Sequence, residues 1–350
     1  MLTIRAGRRA LDEIRANGLD PAAIDIVPGA AGGPKALGLS GLDRAVFGEW
    51  LPRAPRTRHL VGASIGAWRF AAACCSDAVE RLRLFAELYT EQRYPPGANA
   101  AFISRSARAM LTELFAGRED EILGCNDYRL HILAVRGRWP LTRESRFATS
   151  LGFGVAAFAN ALGRRHLARF IDRTVFTDSR EALPLLGNVF DAFRTHSVHL
   201  DRGNLGEALV ASASIPLVLE GVPDIPRAPA GVYWDGGIID YHLHLPYHRT
   251  RGLVLYPHFV DRIVPGWLDK PMPWRQARGE WLENVILVAP SREYLAKLPH
   301  GKLPDRSDFK RFGDAERVKY WRAAIAESER LGEEFLRFVE RPDPGTILPL

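Results

Sequence analysis

His59-Leu60-Val61-Gly62-Ala63-Ser64-Ile65-Gly66-Ala67 is the stretch that decides how this chain folds. His59-Leu60-Val61 reads as a strand, and the run from Ala67 to about Glu91, rich in Ala, Leu and Arg, reads as a helix. A strand that passes through Gly62 to Gly66 straight into a helix starts a βα unit, not a hairpin. The same order occurs upstream. Ile24-Asp25-Ile26-Val27 is strand-like, Gly29 to Lys35 is glycine-rich, and Leu37, Leu42, Val46 and Phe47 fall at near-helical spacing over Lys35 to Trp50. Two such units in succession need crossover connections, and those give parallel pairing.

Working outward, a helix is predicted from about Ala6 to Asn17, ended by Gly18. Further strands are predicted at Leu130 to Val135, Thr174 to Thr177, Ser197 to Leu200, Leu253 to Tyr256 and Val285 to Val288. The Pro-rich passages near 223 to 229 and 265 to 273 read as long surface loops, and no repeat or Ser/Gly linker interrupts the chain. Val318, Trp321, Ile325, Leu331, Phe335 and Phe338 form an apolar stripe on a helix expected after Asp314, read as packing. The pattern is α/β in one domain with insertions.

Composition narrows the class. The 350 residues are 47% apolar and 25% charged, as in ordinary globular proteins, and the net charge of +6 favours anionic partners without choosing among nucleic acid, acidic headgroups and membranes. Arg317, Glu327, Glu329 and Arg330 mix signs as a solvated helix face does, so no nucleic-acid partner is expected. Cys74, Cys75 and Cys125 supply neither an even disulfide framework nor a zinc pattern, which suits a reducing, cytoplasmic setting. The first residues lack a signal-peptide apolar core, and the weakly polar run from Ser150 to Gly163 is too short to cross a bilayer. Any membrane contact is therefore expected to be peripheral, and no metal or cofactor is called for.

Gly62-Ala63-Ser64-Ile65-Gly66 matches G-x-S-x-G, the turn that lifts a nucleophilic serine out between a strand and a helix. Its glycines allow close approach to neighbouring backbone, and the following helix aims its free N–H groups at the serine. Gly29-Ala30-Ala31-Gly32-Gly33-Pro34-Lys35-Ala36 can present N–H groups to an anion. Nucleotide-phosphate loops need a different spacing, with Ser or Thr where Ala36 stands. The oxygen of a tetrahedral acyl intermediate fits better, with Gly32, Gly33 and Ile65 as N–H donors. Trp234-Asp235-Gly236-Gly237 looks like a strand end entering a glycine-shaped turn, and Asp235 is the candidate base.

Taken in order, Gly29 to Lys35, Gly62 to Gly66, the small-residue segment Ala211-Ser212-Ala213-Ser214-Ile215-Pro216 and Asp235-Gly236-Gly237 resemble the patatin-like phospholipase family. The motifs span residues 25 to 240. The resemblance implies a three-layer α/β/α fold, a catalytic core over about 20–260 with an extension over 261–350 that carries a long helix near 314–340, and a Ser–Asp dyad that hydrolyses lipid acyl esters without histidine or metal. It places the nucleophile at Ser64, the base at Asp235 and the oxyanion loop at Gly32 and Gly33, with Lys35, Gly236 and Gly237 in support. The family's loop usually reads Asp-Gly-Gly-Gly-x-Arg-Gly. Here Ala31 replaces the first glycine of the run, Pro34 takes the variable position and Lys35 replaces arginine, losing its planar fork.

Two other readings remain open from sequence. One is a Ser…Asp…His triad, since His242, His244, His248 and His258 follow Asp235, the first two on a strand suggested by the alternation Tyr241 to Leu245. The other is a lipid-binding protein without activity. The aromatic stretch with Tyr256, Phe259, Trp267, Trp274 and Trp281, interspersed with Arg262, Lys270, Arg275 and Arg278, reads either as packing under a long loop or as a lid for acidic membranes.

Overall fold

The computed structural model describes residues 1–142, 146–186, 190–275, 277 and 279–350. Within them the strands are β1 (Leu2–Ala6), β2 (Ile24–Gly29), β3 (Arg58–Ala63), β4 (Tyr128–Gly137), β5 (Ile171–Thr177), β6 (Thr195–His199), β7 (Val222–Pro223), β8 (Val232–Asp235), β9 (Leu253–Pro257), β10 (Val285–Pro290) and β11 (Leu348–Pro349). All belong to one sheet, in the order β11-β1-β10-β9-β2-β3-β4-β5-β6, with β8 on β4 and β7 on β8. The central pairs β10–β9, β9–β2, β2–β3 and β3–β4 are parallel, while β1–β10, β4–β5, β4–β8 and β7–β8 are antiparallel. Every residue of β3, β9 and β10 is buried, which follows from a parallel strand covered on both faces.

The helices are α1 (Arg8–Asn17), α2 (Ser40–Ala45), α3 (Ile65–Ala73), α4 (Ala78–Glu91), α5 (Ala100–Phe115), α6 (Glu119–Gly124), α7 (Arg146–Leu162), α8 (Arg164–Leu167), α9 (Leu205–Ala213), α10 (Gly237–Asp240), α11 (Arg292–Lys297), α12 (Asp308–Arg311) and α13 (Asp314–Glu340). They surround the mostly parallel sheet, an α/β arrangement consistent with three layers. The stripe predicted on the last helix is packing: Val318, Trp321, Leu331 and Phe335 of α13 are buried, and Phe335 meets Trp50 edge-on at 5.2 Å. β10 and β11, both beyond residue 260, lie in the same sheet as β2 and β3. Among the described residues no helix is long and apolar enough to cross a membrane.

Four local expectations need correction. β1 was not anticipated, and the first helix begins at Arg8 rather than Ala6, because β1's partner β10 lies far along the chain and leaves no local signal. The helix expected over Lys35 to Trp50 is a 3-10 segment (Gly33–Leu39), α2 and a π turn (Val46–Trp50), pinned by α13 where Ser328 Oγ accepts the Gly41 N–H at 2.8 Å. The helix expected from Ala67 to Glu91 breaks into α3 and α4 at Cys74 to Asp77. Tyr241 to Leu245 is not a strand. It follows α10 as an irregular turn with Leu243 at φ 39°, and Tyr241, His242, Leu243 and Leu245 are all buried, so the alternation had no structural meaning.

Candidate active site

Sheet register brings Ser64 to Asp235. β3 follows β4 in parallel as far as the pair Ala63 and Leu133. One residue further along β4, Ala134 pairs instead with Asp235 of the antiparallel β8. β3 thus leaves the edge of β4 where β8 reaches it, and the two strand ends meet. Ser64 turns between β3 and α3 at φ 55° and ψ −128°, a conformation that costs a non-glycine residue about 1 to 3 kcal/mol and persists only when its surroundings hold it. They do so through a relay: the Ser64 N–H donates to Ser212 Oγ at 2.8 Å, and Ser212 Oγ donates to the Leu133 carbonyl at 2.6 Å. Gly66 lets α3 lie against β2, since a Cβ there would overlap the Gly29 carbonyl oxygen, and a Cβ at Gly62 would come within 2.5 Å of Ala67 N.

The serine hydroxyl donates to Asp235 Oδ2 at 2.7 Å, and Asp235 Oδ1 accepts the Gly237 N–H at 2.7 Å. The backbone N–H of Asp235 bonds Ser214 O at 2.9 Å, tying β8 to the small-residue segment. Gly236 leaves room for the Leu133 carbonyl. Ser64 and Asp235 are both buried. Burial pushes the Asp235 carboxyl up to about 6, although the hydrogen bonds from Ser64 and Gly237 and the positive charge of Arg306 pull it down.

The glycine loop lies beside this pair because Gly29 of β2 is in register with Gly62 of β3. Ala31 N–H is taken by Tyr241 O at 2.9 Å, whereas among the described residues no turn, loop or side-chain bond takes up the Gly32 or Gly33 N–H. Gly33 sits at φ 55° and Ile65 is the first residue of α3, so its N–H is one of the helix's unpaired donors. Gly32, Gly33, Ser64, Asp235 and Gly237 line a cavity of about 120 Å³, while Gly33, Ser64 and Ile65 line a second of about 460 Å³. Lys35 also lines the first cavity, with Nζ 3.2 Å from Asp305 Oδ2 and 5.6 Å from the Phe259 ring centre. Burial would raise the Asp305 carboxyl; the Ser307 backbone N–H and Lys35 hold it well below the usual carboxylate range.

His242, His244, His248 and His258 make no hydrogen bond to Ser64 or Asp235 among the described residues. His242 Nδ1 and His258 Nδ1 face the backbone at Val264 and Val260, and burial lowers both rings, His258 to about 3. His244 is lowered to about 4, by burial first, and packs against Trp281. Among the described residues no group of three or more His, Cys, Asp or Glu side chains is disposed to hold a metal ion. The aromatic stretch divides: Tyr256 and Phe259 are buried, Trp267 and Trp274 are exposed, and Arg278 lies outside the described residues.

Two contributors were invisible in sequence terms. Ser212 holds the strained turn, and only its place in the small-residue segment hinted at a role. Arg306 stands beside the loop, 3.8 Å from where a Cβ of Gly33 would lie, in a stretch with no motif. A serine hydroxyl bonded to a buried carboxylate, with Gly32, Gly33 and Ile65 lining the cavities beside it, is an arrangement that can transfer an acyl group. The chain matches no protein-family model, no curated protein and no solved structure.

Proposed function

We propose that this chain is a serine acyl hydrolase of the patatin-like type, acting on lipid acyl esters with Ser64 as nucleophile and Asp235 as general base. The observation that carries the reading is the 2.7 Å bond from Ser64 Oγ to Asp235 Oδ2 at the junction of β3, β8 and α3. The order of the glycine loop, nucleophile turn, small-residue segment and Asp-Gly-Gly turn supports the same family.

Asp235 takes the Ser64 proton as Oγ adds to the ester carbonyl. The developing oxyanion meets the N–H groups of Gly32, Gly33 and Ile65. Collapse of the tetrahedral species breaks the bond to the alcohol, which leaves with the proton from Asp235, and an acyl-Ser64 ester remains. Water then adds to that ester, passing its proton to Asp235, and the fatty acid leaves as Ser64 recovers its hydrogen.

Asp235 must be ionised to act, so protonation near pH 6 switches it off. For a medium-chain nitrophenyl ester, kcat/KM is expected to fall about tenfold per pH unit below about 6 and to level above it. Stopped assays from about pH 5 to about pH 9 check this. A profile flat through pH 6, or no turnover of any acyl ester, would contradict the dyad.

Contact with lipid is supported by α7. Leu151, Val155, Phe158 and Leu162 recur on one helical face and are 56%, 42%, 67% and 69% exposed, and Trp274 nearby in the fold is 75% exposed. α7 is joined to the cavity wall, since Asn160 Nδ2 donates to Asp269 Oδ1 at 2.8 Å between Trp267 and Lys270. Such a stripe, flanked by the exposed Arg165 and Arg169, suits an interface with anionic lipid. The double variant Leu151→Asp, Phe158→Asp is expected to reduce co-sedimentation with phosphatidylglycerol vesicles by about tenfold or more. Undiminished sedimentation would remove α7 from the interface.

A further inference from the structure

Two polar side-chain tips from distant elements meet over Gly33. The Tyr89 hydroxyl, carried by α4, lies 3.6 Å from where a Cβ of Gly33 would be, and Arg306 Nη2 lies 3.8 Å from the same point. Gly33 has no Cβ and is held at φ 55°, so the space between its backbone and the two tips is open. Gly33, Ser64 and Arg306 line both cavities beside the nucleophile, and Tyr89 lines the larger, of about 460 Å³. Of the charged residues that line either cavity, Lys35, Asp235, Lys270, Asp305, Arg306 and Lys310, Arg306 alone lines both.

These tips are not engaged elsewhere. Tyr94 on the same wall donates to Gln92 Oε1 at 2.8 Å, and Lys35 is 3.2 Å from Asp305. By contrast, among the described residues the Tyr89 hydroxyl makes no hydrogen bond, and the Arg306 guanidinium makes neither a hydrogen bond nor an ion pair. Both are nonetheless held in place. The Tyr89 ring packs against Phe85 at 6.0 Å and Trp321 of α13 at 6.2 Å. Arg306 is carried by a segment in which Asp308 Oδ2 accepts the Asp305 N–H at 2.7 Å and Trp321 Nε1 at 3.1 Å. Trp321 thus supports both tips. Burial raises the Tyr89 hydroxyl above its usual range, so it remains a neutral donor, and a guanidinium stays charged throughout.

We propose that the Tyr89 hydroxyl and the Arg306 guanidinium add side-chain donors to the glycine loop, holding the ester carbonyl oxygen between them and Gly33 as its charge develops. The assignment rests on the acyl-hydrolase reading. A fixed cation beside an oxygen that becomes anionic only in the transition state stabilises that state more than the bound ester, and does so more strongly in a cavity than at an open surface. The same charge draws the Asp235 carboxyl down against the effect of burial, which keeps the base ionised.

Tyr89→Phe removes the hydroxyl and keeps the ring. For a medium-chain nitrophenyl ester, kcat is expected to fall about tenfold in Tyr89→Phe and about 100-fold in Arg306→Gln, with KM changed by less than about threefold. Arg306→Lys, which keeps the charge, should recover part of the loss. The acidic limb of the pH profile, near 6 in the native chain, should move upward in Arg306→Gln and stay in place in Tyr89→Phe. Labelling by a fluorophosphonate, whose P=O oxygen takes the place of the carbonyl oxygen, should slow in both variants in step with kcat. A loss confined to KM would place the two tips in ground-state binding and overturn the assignment. Ester turnover and labelling at native rates in both variants would overturn the assignment alone. A native chain that neither hydrolyses esters nor takes the label would overturn the hydrolase reading and this assignment with it.

Discussion

Asp235→Asn is expected to lower kcat/KM for an acyl ester by about 10⁴-fold or more while raising the melting temperature. The loss follows because an amide cannot take the Ser64 proton, although it fills the same space and can still accept the Gly237 N–H. The gain in stability follows from the sign of the pKa displacement. The folded chain holds the Asp235 carboxyl at about 6, above the 3.8 of an exposed aspartate, so ionisation is easier in the unfolded chain. The folded state is therefore destabilised progressively as pH rises from about 4 to about 6, by at most roughly 3 kcal/mol above that window. Removing the charge should raise Tm by about 2 to 6 °C at neutral pH, and the difference should vanish near pH 4 and below, where both states hold the proton. Calorimetric melts of wild type and variant across that range check it. A carboxylate with a purely structural role would show the opposite: its loss would lower Tm. Ser64→Ala should lose activity to a similar extent, but the backbone strain at residue 64 remains, so its Tm gives a control for the charge effect.

Gly66→Ala carries the largest expected cost in stability. A single methyl group there meets the Gly29 carbonyl oxygen, which belongs to a central strand and cannot move aside as a flexible side chain would. α3 and β2 must separate, and the separation opens a gap in a core packed at high density, so a loss of about 3 kcal/mol or more is expected. The shift of the urea midpoint measures it. The same displacement moves Ser64 relative to Gly32 and Gly33, so residual folded protein should also be inactive. Gly154→Ala provides the contrast. On the exposed side of α7, a Cβ at residue 154 meets nothing within 4 Å, and the substitution should be neutral or stabilise by up to about 1 kcal/mol. Similar effects from the two substitutions would mean that the close approach at Gly66 does not govern the turn.

The parts of this molecule that were legible in sequence are those whose signal is local. Strand, glycine turn and helix follow one another within about thirty residues at both βα units, so β2, β3 and the parallel pairing were readable, and the same holds for Ser64 between Gly62 and Gly66. Asp235 was readable because Gly236 and Gly237 mark the end of its strand. What failed depended on distant partners. β1 becomes a strand only because β10 offers it an edge, and the helix after the glycine loop is distorted where Gly41 meets Ser328 of α13. Tyr241 to Leu245 alternates in polarity, yet His242 is buried by packing against Tyr241, His258 and Phe259 rather than on one face of a sheet. Arg306 and Asp305 are the clearest case, because nothing around Pro304-Asp305-Arg306-Ser307 is periodic or motif-like. Their place beside Ser64 is set by the seating of the 302–308 segment on α13, where Tyr320 OH donates to Lys302 O at 2.6 Å.

Ser64 as an activated nucleophile is tested most directly by covalent labelling with a fluorophosphonate, followed by peptide mass spectrometry. One adduct is expected, on the peptide that contains Ser64, forming at a rate that rises through about pH 6, absent in Ser64→Ala and slowed at least about 100-fold in Asp235→Asn. A native chain that stays unlabelled, or one labelled at another residue with Ser64 unmodified, would contradict it.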